Sequence, residues 1–199
     1  IVEGPLLVIA GAGSGKTLTL THRAAYMVER GIPPEGILML TFTRRASHEM
    51  LRRAAGLLDG RCERIAGGTF HSFAHAVLRR EGRAVNCPPD FTILDRADNE
   101  EIFRIIRSDM GFADKERRFP KTATLAELAS KCINCAITLP QLVAREMPQF
   151  LEDIPDIEKV IAEYMAYKER NALLDYDDLL VRLDRLLTDH AGARDQLSR

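Results

Sequence analysis

The sequence predicts an α/β protein in which a parallel sheet with helices is joined to a mainly helical subdomain. Over the first ninety residues, short apolar runs alternate with segments of helical periodicity. Strands separated by helices of this length form parallel sheets with right-handed crossovers. From residue 95 to about residue 187, every strong segment has helical periodicity instead. The second part is therefore expected to be inserted in, or appended to, the α/β core.

The first strand and the first helix are predicted on either side of a glycine-rich loop. The apolar run at 6–10 has the length of a short buried strand, and residues 16–30 have helical periodicity. Gly31 suits a helix C-terminal cap, and neither Pro33 nor Pro34 can continue a helix. We therefore expect the helix to end near residue 30.

Further strands and helices are predicted before residue 83. Residues 36–42 form a second apolar strand, and residues 43–58 have amphipathic helical spacing with Thr43 as the N-cap. Residues 64–82 predict a short strand, a Gly-Gly-Thr bend and another helix. The helical segments of the second part are 99–110, 125–137, 139–151, 157–170 and 175–187.

Composition indicates a globular chain with a substantial core. Of its 199 residues, 46% are hydrophobic, and no apolar stretch reaches the ~20 residues of a membrane helix. We therefore expect a cytoplasmic protein with no membrane partner. The cysteines are interpreted as reduced thiols, and Cys132 and Cys135 as buried core residues, because a second pair of metal ligands is missing.

Charge is distributed unevenly along the chain, although the net charge is only -1. Residues 44–83 contain nine arginines against four acidic residues, and residues 146–178 contain ten acidic residues against three basic ones. This pattern is typical of a basic segment that faces a polyanion, and equally of two oppositely charged solvated faces. Charge alone leaves both interpretations open.

A phosphate-binding loop is predicted at AGAGSGKT, residues 10–17. The octet fits the pattern G-x-x-x-x-G-K-[ST] except that alanine replaces the first glycine. A strand before the loop and a helix after it would direct backbone N–H groups and the helix dipole at one anion. The alternative is a strand-to-helix turn with a chance Gly-Lys-Thr. The expected nucleotide-binding residues are Ala10, Gly11, Ala12, Gly13, Ser14, Gly15, Lys16 and Thr17.

Two of these residues are expected to act in catalysis. Lys16 would contact the β- and γ-phosphates of ATP, and the Thr17 hydroxyl would ligate Mg²⁺. ATP, or a related nucleoside triphosphate, together with Mg²⁺ is therefore the predicted ligand of the loop.

Three segments together resemble motifs of the UvrD/Rep family of superfamily 1 DNA helicases. Residues 10–27 resemble motif I, including the alanine, and residues 37–53 and 68–80 resemble motifs Ia and Ib. Residues 91–95 and 173–180 also fall where the family has similar stretches. The resemblance covers nearly the whole chain in the right order.

The resemblance implies a division into domains. Residues 1–89 would belong to a RecA-like P-loop motor domain, 1A, and residues 90–174 would form the helical insertion 1B. Residues 175–199 would return to 1A.

The resemblance also implies DNA-binding residues. Phe42 could stack on a base, and stacking tolerates any base sequence. The motif Ib residues would make backbone and phosphate contacts. The expected residues are Thr41, Phe42, Thr43 and Arg44 in motif Ia, and Thr69, Phe70, His71 and Ser72 in motif Ib.

The chain departs from the family pattern at several points. Leu18 stands where members commonly have arginine, and the family's adenine-reading glutamine and its acidic motif would lie outside residues 1–199. We expect no appreciable ATP hydrolysis by these residues alone. Asp177 and Asp178 are interpreted as helix N-terminal capping residues and not as substitute catalytic groups.

The resemblance implies an N-terminal, ATP- and single-stranded-DNA-binding part of an ATP-dependent DNA helicase of repair or replication. Its partners would be single-stranded DNA, junctions of single- and double-stranded DNA, and the remaining helicase domains, near the nucleoid. Two alternatives remain. One is a nucleotide-binding scaffold subunit of a helicase-nuclease complex, and the other is a P-loop kinase with a phosphate acceptor site.

Overall fold

A computed structural model of the chain describes residues 4–112 and 119–197. The chain divides into two compact units, the first formed by residues 1–76 and 190–199 and the second by residues 77–189. Helices and short parallel strand pairs occur in both. This mixture is consistent with the α/β class predicted from the sequence.

The first unit contains two parallel strands joined by a helix. Strand β1 pairs with β2, and the register runs from Leu38 opposite Ala66 to Thr41 opposite Thr69. Helix α3 begins in this unit, and its last residues belong to the second. The elements are α1 (Lys16–Glu29), β1 (Leu38–Thr41), α2 (Arg44–Ala55), β2 (Ala66–Thr69), α3 (Phe70–Glu81) and α9 (Ala191–Leu197).

The ends of α1 and α2 follow from their sequences as predicted. Gly31 adopts the left-handed conformation with φ 92° after α1, and its N–H donates to Val28 O while the N–H of Ile32 donates to Met27 O. These are the two hydrogen bonds of a Schellman ending. Thr43 caps α2, since its hydroxyl accepts from the N–H of Ala46.

The core of the first unit lies between the helices and the strand pair. Small residues on α1 and α2 allow these helices to pack closely together, and Met39 of β1 and Met50 of α2 belong to the same buried cluster. The buried apolar residues are Ala24, Ala25, Val28, Ile37, Met39, Met50, Ala54, Cys62 and Ile65.

The predicted buried strand at residues 6–10 is wrong. The segment has no strand pairing among the described residues, and its side chains lie in solvent, with Leu7 83% and Ile9 91% exposed. An apolar run predicts burial only where another element covers it, and here β1 pairs with β2 instead.

The predicted Gly-Gly-Thr bend is also wrong, because these three residues lie within β2. A Cβ atom on Gly67 would lie 2.7 Å from both Leu51 Cδ2 and Met39 O. This glycine therefore permits close packing of α2 and β1 against β2. In exchange, β2 has no side chain to pack at this position.

The second unit is mainly helical, as predicted, with one very short parallel pair of strands that the sequence did not predict. Its elements are β3 (Thr92–Ile93), α4 (Arg96–Asp109), α5 (Thr122–Cys135), α6 (Leu139–Glu146), α7 (Ile154–Arg170), β4 (Leu173–Leu174) and α8 (Tyr176–Asp189). Among the described residues, every helix is too short or too polar to span a lipid bilayer.

Aromatic stacking and helix caps organise this unit. Phe103 of α4 stacks on Tyr164 of α7 with ring centroids 4.2 Å apart, in a core that also buries Leu125 and Leu142. Asp95 and Asp98 form a capping box at the start of α4. Reciprocal bonds of this kind satisfy two N–H groups that a helix start leaves without partners.

The Cys132 and Cys135 pair does not lie wholly in the core. Cys132 is half-buried and packs against the apolar cluster of the second unit, but Cys135 is exposed at the last turn of α5. Side chains three residues apart on a helix are neighbours but do not point in the same direction. One thiol can therefore face the core while the other faces solvent.

Candidate functional site

The glycine-rich loop connects the exposed segment at 6–9 to the first turn of α1. Gly13 and Gly15 have φ values of 76° and 83°, in the left-handed region that strains residues with a Cβ atom. Gly15 is also the N-cap of α1. Both glycines are therefore required by backbone conformation, whereas Gly11 has no positive φ.

The loop presents an open surface at the N-terminus of α1. Residues 11–17 are exposed, and a Cβ atom added to Gly11, Gly13 or Gly15 would meet nothing within 4 Å. Helix α1 has no side-chain cap and no acidic residue in its first turn. Its first N–H groups and the positive end of its dipole are therefore available to an anion.

Lys16 folds back over the loop. Its Nζ donates to Ala10 O at 2.9 Å and to Gly11 O at 2.5 Å, while Ser14 Oγ donates to Gly11 O at 2.7 Å. No carboxylate within the described ranges pairs with Lys16. The ammonium charge is thus held beside the backbone donors, where it can neutralise a phosphate.

These residues fit a magnesium-bound nucleoside triphosphate. Backbone donors and the Lys16 ammonium group can contact a phosphate chain, and the exposed Thr17 hydroxyl can supply one ligand to its Mg²⁺. Leu18, 52% exposed, supplies no polar group beside them.

A second surface lies where β1 and β2 end. Because the strands are parallel and in register, Thr41 and Thr69 are partners, and the residues that follow them emerge side by side. Loops at the carboxyl ends of parallel strands are where open α/β sheets bind ligands. The register therefore brings together the motif Ia and motif Ib residues predicted from the sequence.

The motif Ia turn is held by threonine hydroxyls. The N–H of Thr43 donates to Thr41 Oγ1 at 3.3 Å, and Thr43 Oγ1 accepts from the N–H of Ala46 at 3.1 Å. Phe42 lies between these two threonines and is 90% exposed. A phenylalanine this exposed presents an aromatic face to solvent.

The motif Ib turn is held by reciprocal bonds between Thr69 and Ser72. The N–H of Thr69 donates to Ser72 Oγ at 2.8 Å, and the N–H of Ser72 donates to Thr69 Oγ1 at 3.1 Å. The family resemblance implies DNA contacts for both residues but not this arrangement, for which the Thr-x-x-Ser spacing is the local signal. Both hydroxyls are engaged in fixing the start of α3.

The two exposed phenylalanines are in contact. The ring centroids of Phe42 and Phe70 lie 5.5 Å apart with an interplanar angle of 44°. Phe70 is 41% exposed, and His71 beside it is half-buried. The two turns therefore present one aromatic surface.

The arginines near this surface differ in their partners. Arg52 and Arg53 both bond the Glu49 carboxylate, and hydrogen bonds from these two arginines lower the pKa of Glu49 to about 2. Arg44 and Arg45, in the first turn of α2, have no ion pair in the part of the chain that the structure describes. These two are the better candidates for phosphate contacts.

The acidic residues at the start of α8 have structural partners. The N–H groups of Asp175 and Asp178 donate to each other's carboxylates at 2.9 and 2.8 Å, which bears out the predicted capping role of Asp178. Asp177 accepts from Ser130 Oγ at 2.6 Å and from Asn134 Nδ2 at 3.0 Å, and so ties α8 to α5.

A buried lysine lies beside this capping box. Lys168, whose side chain is 3% exposed, donates to Asp175 at 2.6 Å and to Asp178 at 2.5 Å. Although burial opposes ionisation, the charge and hydrogen bonds of Lys168 lower the pKa of Asp175. Burial and the charge of Asp175 outweigh Lys168 at the second carboxyl and raise the pKa of Asp178. One ammonium group therefore balances two carboxyls.

A cavity of about 560 Å³ adjoins the cluster within the second unit. Tyr164, Asp175 and Asp177 line it, yet their polar atoms are bonded to one another or to neighbouring side chains. These three side chains therefore leave no polar group free to bind a ligand in the cavity.

Comparison with known proteins agrees with the resemblance to helicase motifs. The family model described as the UvrD/REP helicase N-terminal domain matches residues 1–199. An ATP-dependent DNA helicase PcrA from Staphylococcus aureus is 32% identical over 180 residues, covering 90% of this chain and 24% of the relative. One from Staphylococcus epidermidis is 33% identical over the same length, with the same coverage. The chain thus spans about a quarter of the length of these relatives.

Proposed function

The chain belongs to the UvrD/REP helicase family, and we propose that it forms the nucleotide- and single-stranded-DNA-binding part of an ATP-dependent DNA helicase. Because the relatives are about four times longer, DNA unwinding is proposed for the whole helicase. Residues 1–89 and 175–199 are assigned to the first motor domain and residues 90–174 to an inserted subdomain. The separate compact unit at 77–189 supports an insertion in this region, although its bounds also include residues 77–89 and 175–189 of the proposed motor domain.

The glycine-rich loop is proposed to hold the phosphates of ATP. Its support is the left-handed backbone at Gly13 and Gly15, the uncapped start of α1 and the ammonium group of Lys16 beside them. Thr17 would ligate the Mg²⁺ that accompanies the nucleotide. Bound ATP supplies the phosphoanhydride bond whose hydrolysis drives such motors, and the residues of this chain bind and orient it.

The aromatic surface at the ends of β1 and β2 is proposed to hold single-stranded DNA. Phe42 would stack on a base, and Arg44 would contact a phosphate nearby. Base stacking on an aromatic side chain contributes about 1 to 3 kcal/mol per base. The two turns would be supported by Thr41, Thr43, Thr69 and Ser72, which would also offer backbone groups to the DNA strand. His71 would lie beside them.

One observation carries the proposal: the parallel register places Phe42 and Phe70 together, in the same compact unit as the glycine-rich loop. A motor that couples ATP to movement along DNA needs a nucleotide site and a strand-gripping surface on one rigid element. Repair or replication is the proposed setting, and junctions of single- and double-stranded DNA are the proposed substrates.

A titration with a fluorescent ATP analogue and MgCl₂ tests the nucleotide half of the proposal. Lys16→Ala should weaken binding at least tenfold, because the loop loses its cationic contact to the phosphates. Tyr26→Ala, an exposed position on α1, is the matched control and should bind like the wild type. Equal affinity in wild type and Lys16→Ala would contradict the assignment of the loop.

In the whole helicase, Lys16→Ala should abolish DNA-stimulated phosphate release and strand separation. A nucleotide-binding scaffold would instead keep its function when Lys16 is replaced. This comparison therefore separates a motor from a scaffold.

A further inference from the structure

We propose that Phe70 is a positioning residue, which holds the Phe42 ring in the orientation that stacks on a DNA base. The proposal rests on the proposed function, because it assumes that Phe42 contacts single-stranded DNA. It adds a role for Phe70 that differs from the backbone and phosphate contacts expected for motif Ib.

Exposure and contact geometry distinguish the two rings. Phe42 is 90% exposed, and among the described residues the phenylalanine ring that contacts it is that of Phe70, 5.5 Å away and tilted by 44°. Phe70 is only 41% exposed. The Phe42 ring therefore contacts Phe70, while most of its surface stays open to a base.

Hydrogen bonds fix the backbone that carries each ring. Thr41 and Thr69 are partners in the parallel pair, so the two phenylalanines start from adjacent backbone positions. Thr43 caps α2 immediately after Phe42, and the Thr69–Ser72 bonds hold the first turn of α3, where Phe70 lies. The backbone that carries the Phe70 ring is thus held by bonds within the chain.

The packing around Gly68 shows that this turn leaves little room for alternatives. A Cβ atom on Gly68 would lie 2.6 Å from Ser72 Oγ. A side chain at this position would push the Ser72 hydroxyl away from the N–H of Thr69. Gly68 therefore leaves room for the hydrogen bond that holds the turn before Phe70.

The physical effect is pre-organisation. A side chain that must be immobilised on binding reduces affinity, and a ring that already rests on a neighbour avoids part of that loss. The pair contact also prefers the offset or tilted geometry seen here. Removing the Phe70 ring should therefore weaken DNA binding by about two- to tenfold, and only when Phe42 is present.

A double-mutant cycle between Phe42 and Phe70 tests this coupling. The affinity for a fluorescein-labelled oligothymidylate is measured by anisotropy for wild type, Phe42→Ala, Phe70→Ala and the double variant. Phe70→Ala should weaken binding two- to tenfold in the wild-type background and have no further effect in the Phe42→Ala background. Tyr26→Ala, of similar exposure to Phe70, should match wild type.

Further variants and a second probe separate positioning from loss of structure. Phe70→Tyr keeps the ring and should restore wild-type affinity, whereas Phe70→Leu keeps apolar bulk and should behave like Phe70→Ala. On an oligonucleotide with abasic sites, which offers phosphates but no stacking partner, Phe70→Ala should have no effect. An unfolding midpoint within a few degrees of wild type accompanies each measurement.

The outcomes distinguish the two proposals. If Phe42→Ala weakens binding but Phe70→Ala is neutral, or weakens it equally in both backgrounds, the positioning role is overturned and the DNA surface stands. If Phe42→Ala leaves the affinity of the chain for oligothymidylate unchanged, the proposed DNA surface and the positioning role fail together.

Discussion

The N–H of Thr69 donates to Ser72 Oγ at 2.8 Å, and the N–H of Ser72 donates back to Thr69 Oγ1 at 3.1 Å. These two bonds mark the point where strand β2 becomes helix α3. They satisfy two N–H groups that a helix start would otherwise leave without partners, and they orient the turn that carries Phe70.

Ser72→Ala should destabilise the chain by about 1 kcal/mol, because it removes the hydroxyl that accepts from the Thr69 N–H. Urea unfolding followed by circular dichroism measures this change. Ser72→Thr keeps a hydroxyl and should lose clearly less stability. Equal losses in the two variants would show that the reciprocal bonds do not stabilise the start of α3.

Gly15→Ala should strain the nucleotide loop, since the backbone at Gly15 has φ 83° and alanine costs about 1 to 2 kcal/mol in that region. We expect a lower unfolding midpoint and a weakened affinity for the fluorescent ATP analogue. Gly36→Ala is the matched control, because Gly36 has ordinary φ and open space around its Cα. A Gly15→Ala variant with wild-type stability and affinity would contradict the loop conformation described above.

Lys168→Met should be far more destabilising than a surface lysine replacement. Removing the ammonium group leaves Asp175 and Asp178 buried without their counter-charge, which costs about 3 to 5 kcal/mol. Lys159→Met, on the same helix, removes a lysine that is 66% exposed and paired with Asp156, and should cost at most about 1 kcal/mol. Similar losses in chemical unfolding for the two variants would refute the buried cluster.

Tyr164 should make stability fall in alkaline solution. Burial, with the nearby charge of Asp175, raises the pKa of the Tyr164 hydroxyl well above its usual value of about 10. Above pH 10 the unfolded chain therefore loses this proton while the folded chain keeps it, so stability falls as pH rises.

Unfolding of wild type and Tyr164→Phe between pH 8 and pH 11 checks this dependence. Above pH 10 the wild-type curve should fall more steeply than that of the variant, by up to about 1.4 kcal/mol per pH unit. At pH 8 the variant should be less stable by about 1 kcal/mol, because Asp175 loses a hydrogen bond. Parallel curves would contradict a buried phenol.

Local signals in the sequence account for the elements that were predicted correctly. Thr43 caps α2 and Gly31 ends α1, because each requires only its own backbone conformation and the next few residues. The helical second unit follows from periodicity in the same way. The position of Asp178 in the first turn of an apolar helix likewise predicts its capping role.

Other features depend on contacts that a single sequence does not display. The apolar run at 6–10 predicts a buried strand, but burial needs a neighbouring element, and none of the described residues pairs with it. Strands β3 and β4 are two residues each and become visible only through their pairing across about eighty positions. Lys168 is charged, and nothing local to it predicts burial between two carboxyls.

The site shows the same division between local and distant information. The glycine-rich loop was predicted from its own residues, whereas the contact between Phe42 and Phe70 required the parallel register of β1 and β2. The assignments of individual residues to ATP, Mg²⁺ and DNA remain predictions.

The affinity of the chain for single-stranded DNA, measured for wild type and Phe42→Ala, tests the central claim most directly. Fluorescence anisotropy with oligothymidylate at fixed salt should show binding that Phe42→Ala weakens about five- to a hundredfold, as expected for the loss of one stacked base. Tyr26→Ala should bind like wild type. Equal affinity for wild type and Phe42→Ala would contradict the proposal that the ends of β1 and β2 grip a DNA strand.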